Sequence, residues 1–161
     1  MKYHLIILFA FVVVASCQEN HGCEVGCKCP DFPSFFTLEE NEKFFYEKHD
    51  GCSFNLTCPE GTNAALFNKF SESEFPTPSE NWNGMFYIIG SPYKGPLVPP
   101  YDILSHFGLI CENGSWYATK YPVGIQYNVD RLNFAALGSA EEYAGMKSRV
   151  HQATCWYWPF D

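Results

Sequence analysis

Between Cys52 and Cys58 the chain alternates without a break. Cys52, Phe54, Leu56 and Cys58 fall on one side of an extended backbone, and Ser53, Asn55 and Thr57 on the other. Period-two alternation predicts a half-buried strand. Ala64 to Phe70 and Met85 to Ile89 read as two more strands, the second rich in aromatic and β-branched residues. Phe107 to Cys111 and Ser115 to Tyr121 flank Glu112-Asn113-Gly114, and Asn-Gly between apolar runs predicts a hairpin. Val150 to Tyr157 reads as a last strand. Two short helices are expected. One spans about 38–48, where Thr37-Leu38-Glu39-Glu40 forms a capping box, Glu39 and Lys43 lie four apart, and Asp50-Gly51 supplies a stop. The other opens at Ser139-Ala140-Glu141-Glu142 and reaches about Lys147. Ser71 to Asn83 and Ser91 to Pro100 are rich in Ser, Glu and Pro and read as loops, because proline cannot donate to a sheet ladder. The pattern predicts a mainly β fold: sandwich-like antiparallel sheets, one or two short helices, and a short N-terminal disulfide-linked segment.

The start of the chain carries a different pattern. Lys2 precedes an unbroken apolar run from Leu5 to Ala15, which ends in the small residues Ala15 and Ser16. That order is the one a secretory signal peptide uses. A membrane-spanning helix needs roughly 20 apolar residues, more than this run supplies. The expected layout is a signal peptide over residues 1–16, a cysteine-rich segment over 17–33 and a single β-rich disulfide-bonded domain over 34–161. The expected product is extracellular, with no membrane span and no lipid anchor at the C-terminus. Val14-Ala15-Ser16-Cys17 also fits a bacterial lipoprotein signal, but two glycosylation sequons favour a eukaryotic source.

Secretion gives the eight cysteines an oxidising compartment. Cleavage after Ser16 leaves all eight, and cleavage after Cys17 leaves an odd one. On an extended strand Cys52 and Cys58 stand about 20 Å apart at ~3.3 Å per residue. A disulfide needs Cα atoms within roughly 7 Å, so these two must reach elsewhere. Cys111 and Cys155 are the expected partners, in either of two arrangements, with a lean to Cys58–Cys111 and Cys52–Cys155. In the first segment Cys27 and Cys29 are expected to pair with Cys17 or Cys23. Cys-x-x-x-Cys-x-Cys beside His21 is not a usual zinc spacing, so no metal and no other cofactor is expected.

Without Lys2 the chain keeps nine basic against eighteen acidic residues. That balance repels phosphate backbones and weighs against nucleic acid as a partner. Asn55-Leu56-Thr57 and Asn113-Gly114-Ser115 are sequons, one on the polar face of a strand and one at a hairpin tip.

The region from Asp50 onward resembles a large set of small secreted nematode proteins built on a cysteine-rich domain of unknown function, akin to the six-cysteine-domain families. Asp50-Gly51-Cys52, Leu56-Thr57-Cys58, Gly61-Thr62, Leu109-Ile110-Cys111, Asn113-Gly114, Trp116 and Cys155 carry the resemblance, with Cys27-Lys28-Cys29-Pro30 ahead of them. The resemblance implies no activity and no site residues.

Function is read from what remains. No nucleophile elbow, His-Glu-x-x-His helix or phosphate loop is present. Trp82, Tyr93 and Tyr101 fall in loops, where rings give large contact area at small entropic cost. They are the candidate contacts of a non-enzymatic extracellular module that binds a protein or a glycan. Two alternatives stand beside it: a two-carboxylate glycosidase, and a protease inhibitor displaying Lys94 on the Ser91–Pro100 loop.

Overall fold

The computed structural model describes residues 26–36, 44–92 and 100–157. Nine strands are found among them. They are β1 (Phe45–Lys48), β2 (Phe54–Thr57), β3 (Thr62–Ser73), β4 (Met85–Ile89), β5 (Ile110–Glu112), β6 (Ser115–Ala118), β7 (Ile125–Asn128), β8 (Phe134–Leu137) and β9 (Ser148–Tyr157). The single α-helical turn is α1 (Ile103–His106), and Phe32–Phe35 forms a 3-10 turn. The mainly β fold expected from the alternation is what the chain adopts. Seven strands form one antiparallel sheet in the order β5-β6-β9-β3-β4-β7-β8, and β1-β2 forms a separate antiparallel hairpin.

The long strand β3 is the centre of the sheet. Ala64, Leu66 and Phe70 are buried on one of its faces, beside Phe86 and Ile88 of β4 and Val150 and Ala153 of β9. The opposite side of this core is closed by pieces that are not part of the sheet. Phe54 and Leu56 of β2, Ile103 and Phe107 around α1, and Phe32 of the N-terminal segment are all nearly inaccessible. Phe32 stacks on Phe54 at 5.1 Å, and both rings meet Trp116 edge-on. Asp102 fastens α1 to β2: one carboxylate oxygen accepts from Ser105 N–H as a helix cap, the other from Leu56 N–H. At the β5–β6 turn Asn113 and Gly114 both have positive φ, 52° and 78°, the two-residue turn that Asn-Gly favours.

Three bridges cross this body: Cys27–Cys52, Cys29–Cys111 and Cys58–Cys155. Cys52 and Cys58 do not pair with each other, as the strand geometry requires. The expected separation of the N-terminal cysteines from the rest is corrected. Cys27 and Cys29 reach into the domain instead of to Cys17 or Cys23, which lie outside the described residues. Cys58–Cys111 and Cys52–Cys155 do not form. The physical reason is that residues 29–36 are not a polar appendage: Cys29, Phe32 and Phe36 are buried core residues, so the segment is pressed onto the body.

Both expected helices are also corrected. The described end of the 38–48 segment is strand β1, paired through Phe45↔Thr57 and Lys48↔Phe54. Residues 45–48 are held by cross-strand pairing, while the capping box at 37–40 and the Glu39–Lys43 pair lie outside the described residues. From Ser139 the chain makes turns and no helix. Gly138 and Gly145 both have positive φ, and Tyr143 between them turns inward and is buried. Phe107 and Gly108, expected as strand, close α1 through Phe107 N–H to Ile103 O and Leu109 N–H to Leu104 O. No helix among the described residues is long and apolar enough to cross a membrane.

Candidate functional site

The candidate contact residues are placed very differently. Tyr101 belongs to the fold. Its hydroxyl donates to Asn63 Oδ1 at 2.8 Å and accepts from Ala64 N–H at 3.2 Å, and its ring stacks on His106 at 3.9 Å. Burial pushes its hydroxyl up to about 12. Tyr93 and Lys94 lie outside the described residues. Trp82 is 55% exposed, and its backbone N–H donates to Asn128 O at 2.9 Å.

Trp82 is not alone. Leu132 is 86% and Phe134 55% exposed, so three of the five large exposed apolar side chains among the described residues gather beside the β7–β8 turn. Phe45 on β1 and Ile110 on β5 are the other two. The gathering is built on Asn128. Its carbonyl holds Trp82, its Cα pairs in register with Phe134, and its side-chain oxygen accepts from the Tyr87 hydroxyl. Arg131 sets its guanidinium 6.0 Å from the centre of the Trp82 ring, a cation–π contact.

The loops that carry these side chains are fixed by their own polar groups. Asp130 accepts from Leu132 N–H, Asn133 N–H and Asn133 Nδ2, at 2.7–2.9 Å. The Asn133 amide and the two backbone N–H groups hold the Asp130 carboxyl below its ordinary value. Asn81 spans its own loop, accepting from Gly84 N–H and donating to Met85 O. Both loops are therefore shaped before anything binds. Behind Phe134 a row of rings crosses the outer face of the sheet: Phe134 to Tyr87 at 5.9 Å, Tyr87 to Phe67 at 5.0 Å, Phe67 to Trp156 at 5.4 Å. Strand β8 ends the sheet, and Phe134-Ala135-Ala136-Leu137 carries no charge. Sequence reasoning found Trp82 and missed Leu132, Phe134 and Arg131. The signal was an Asp-Arg-Leu-Asn turn between two short apolar runs.

A second surface gathers the charges. An open depression of about 450 Å³ is lined by Glu72, Glu74, Glu112, Tyr117, Lys147 and Arg149 among others. Its carboxylates are engaged. Glu72 meets Arg149 at 2.8 Å, His151 at 3.2 Å and Lys69 at 3.7 Å, and Glu112 meets Lys147 at 2.7 Å. Burial raises the Glu72 carboxyl, but the Arg149 hydrogen bond and the charges of His151, Arg149 and Lys69 outweigh it and hold it below its ordinary value. Burial holds the His151 imidazole below its usual range, against the pull of Glu72. A general acid in a two-carboxylate glycosidase needs the opposite shift, upward.

The sequon residues Asn55 and Asn113 are both exposed, on β2 and at the β5–β6 turn. The sulfurs of Cys27, Cys29 and Cys111 lie within 4.8 Å of one another. All three are in disulfides, so they offer no thiolate to a metal.

A family model described as TRA-1 regulated protein R03H10.4 matches residues 15–155. The chain belongs to that family, a nematode family of unknown function. No curated protein and no solved structure matches the chain.

Proposed function

We propose that this member of the nematode family is a secreted, disulfide-stabilised protein that acts by binding another extracellular protein, through Trp82, Arg131, Leu132 and Phe134. The observation that carries the reading is the gathering of exposed apolar side chains on two loops that are already rigid. Preorganised aromatic and arginine side chains are what binding hot spots are made of. The secreted half rests on the signal-like pattern of residues 1–16 and on three disulfides, which persist in oxidising compartments.

The patch fits a protein better than a glycan. Sugar recognition needs free polar groups beside the ring, to take the hydroxyl hydrogen bonds. Those of Asn81 and Asp130 are consumed within their own loops. What is left open is apolar surface, one cation and the uncharged edge strand β8. An extended segment of a partner can add to such an edge while its side chains meet Phe134 and Leu132. Glu72 and Glu112 in the charged depression are held in ion pairs, and the Glu72 carboxyl is held below its ordinary value, which favours binding over hydrolysis as the role of the molecule.

The test places a photo-crosslinking amino acid at position 132 of the secreted protein, and in a control at Lys120 on another loop. Irradiation in the native extracellular fluid is expected to give an adduct of defined mass from position 132. That adduct should disappear in Phe134→Asp. Equal labelling from both positions, or none from 132, overturns the binding surface. Retention of an unprocessed chain inside the cell overturns the secreted role.

A further inference from the structure

Two of the three bridges among the described residues lie side by side. The Cys27 sulfur lies within 4.8 Å of both Cys29 and Cys111, the two sulfurs of the next bridge. Cys58–Cys155 has no part in this cluster.

Access to the cluster is uneven. Cys29 is buried, while Cys27 and Cys52 are each partly exposed. Each is preceded by a glycine, and those glycines face each other in an isolated bridge, Gly26↔Gly51. Among the described residues, a Cβ at either glycine would meet nothing within 4 Å. A crevice lined by Cys27, Cys29, Cys52, Tyr46 and Lys48 leads to the Cys27–Cys52 bridge. Exchange at a disulfide proceeds by attack along the sulfur–sulfur axis. Cys27 is crowded by the neighbouring bridge, which leaves Cys52 as the open sulfur.

We propose that Cys27–Cys52 is a thiol-reactive site, attacked at Cys52 by a soluble monothiol, and that its opening is relayed to Cys29–Cys111. In the first step the external thiolate bonds to Cys52 Sγ, the Cys27–Cys52 bond breaks, and the electron pair leaves on Cys27 Sγ. In the second, the Cys27 thiolate attacks Cys111 Sγ, forming Cys27–Cys111 and expelling Cys29 as the thiolate. Cys29 then attacks the mixed disulfide at Cys52, forming Cys29–Cys52 and returning the monothiol. The number of disulfides is the same before and after, so the exchange is redox-neutral and the monothiol is regenerated. Stopping after the second step leaves a stable adduct on Cys52 and one free thiol.

The consequence lies in what the two bridges hold. They are covalent ties of residues 26–36, whose Phe32 and Phe36 close the core, to the β1–β2 turn and to edge strand β5. A monothiol can thus change the attachment of this segment while Cys58–Cys155 keeps β9 in place.

The experiment treats the secreted protein with graded glutathione, quenches with an alkylating reagent and maps the unreduced peptides by mass. Expected are a glutathione adduct on Cys52 and peptides joined through Cys27–Cys111, at concentrations that leave Cys58–Cys155 intact. In the double variant Cys27→Ser/Cys52→Ser, Cys29–Cys111 should open about tenfold more slowly, because its internal nucleophile is gone. If that variant does not fold, a short pulse on the wild type decides. Alkylation of Cys29 must then appear together with adduct on Cys52. Opening of Cys29–Cys111 without Cys52 adduct, an equal rate in the double variant, or first attack at Cys58–Cys155 overturns the proposal.

Discussion

The Tyr101 hydroxyl occupies the place where a side chain at Gly90 would begin. The same hydroxyl bonds Asn63 Oδ1 and Ala64 N–H, and Gly90 itself donates its N–H to Ala64 O and faces His106 Nε2 through its carbonyl at 2.8 Å. The end of β4, the start of β3 and the approach to α1 are thus joined at a point with no spare volume.

Gly90→Ala should therefore destabilise the protein by overpacking, by about 1–3 kcal/mol. Tyr101→Phe removes only the hydroxyl and leaves Asn63 Oδ1 and Ala64 N–H short of a partner, a loss of about 1–3 kcal/mol. The informative variant is the pair. Gly90→Ala with Tyr101→Phe should cost less than the two losses added, because the clash and the hydrogen bonds share one oxygen. Urea unfolding of the four proteins measures this, and strict additivity would refute the shared-atom account.

The Glu72 cluster predicts two pH effects of the same sign in separate windows. Glu72 has its native value lowered from 4.5, so its ion pairs stabilise the fold above that pH and the stability is lost as pH falls below it. His151 is also lowered, from 6.5, so the unfolded chain takes up its proton first, and stability falls as pH drops through 6.5. Glu72→Gln should flatten the loss below pH 4.5. It should also steepen the loss near pH 6.5, since the charge that supported protonated His151 is gone. Thermal midpoints at pH 7.5, 5.5 and 3.5 separate the two. A parallel shift at all three would mean that Glu72 acts only through packing.

Much of the sheet was legible because its strands are apolar runs rich in aromatic and β-branched residues between turn signals. Met85–Ile89 has the predicted bounds, and Asn113-Gly114 makes the predicted turn. What was not legible depends on contacts between distant residues. Nothing local says that Phe32, next to two prolines and four cysteines, is a core residue, yet its burial decides where Cys27 and Cys29 can reach. Phe45–Lys48 and Phe134–Leu137 are four residues each and take their form from a neighbouring strand. The patch at Trp82 was half legible for the same reason. Its ring was visible in the sequence, while its neighbours Arg131, Leu132 and Phe134 come from a hairpin some fifty positions on.

Phe32 gives the test of that long-range dependence. Phe32→Ala should cost about 3–5 kcal/mol, as for a buried aromatic ring in a packed core. It should also loosen the N-terminal segment, so that proteolysis between residues 30 and 44 precedes global unfolding. Phe45→Ala, on an exposed ring of the neighbouring strand, should change stability by less than about 0.5 kcal/mol. Equal effects would contradict the placement of Phe32 under Trp116.

The β5–β6 turn allows glycosylation to be separated from folding at Asn113. Its φ of 52° is one that glycine adopts freely and that alanine resists. Asn113→Gly should therefore keep the hairpin while removing the acceptor of the Asn113-Gly114-Ser115 sequon. Asn113→Ala should remove the acceptor and strain the turn, with a cost of about 1 kcal/mol. Expressed in a eukaryotic secretory host, both variants should lose the same glycan mass. After enzymatic deglycosylation, Asn113→Gly should melt with the wild type and Asn113→Ala below it. If neither variant loses mass, position 113 carries no glycan, and the comparison reports the turn alone. If the two melt together, the left-handed conformation at 113 is not what sets the hairpin, and Gly114, with φ 78°, carries the turn by itself.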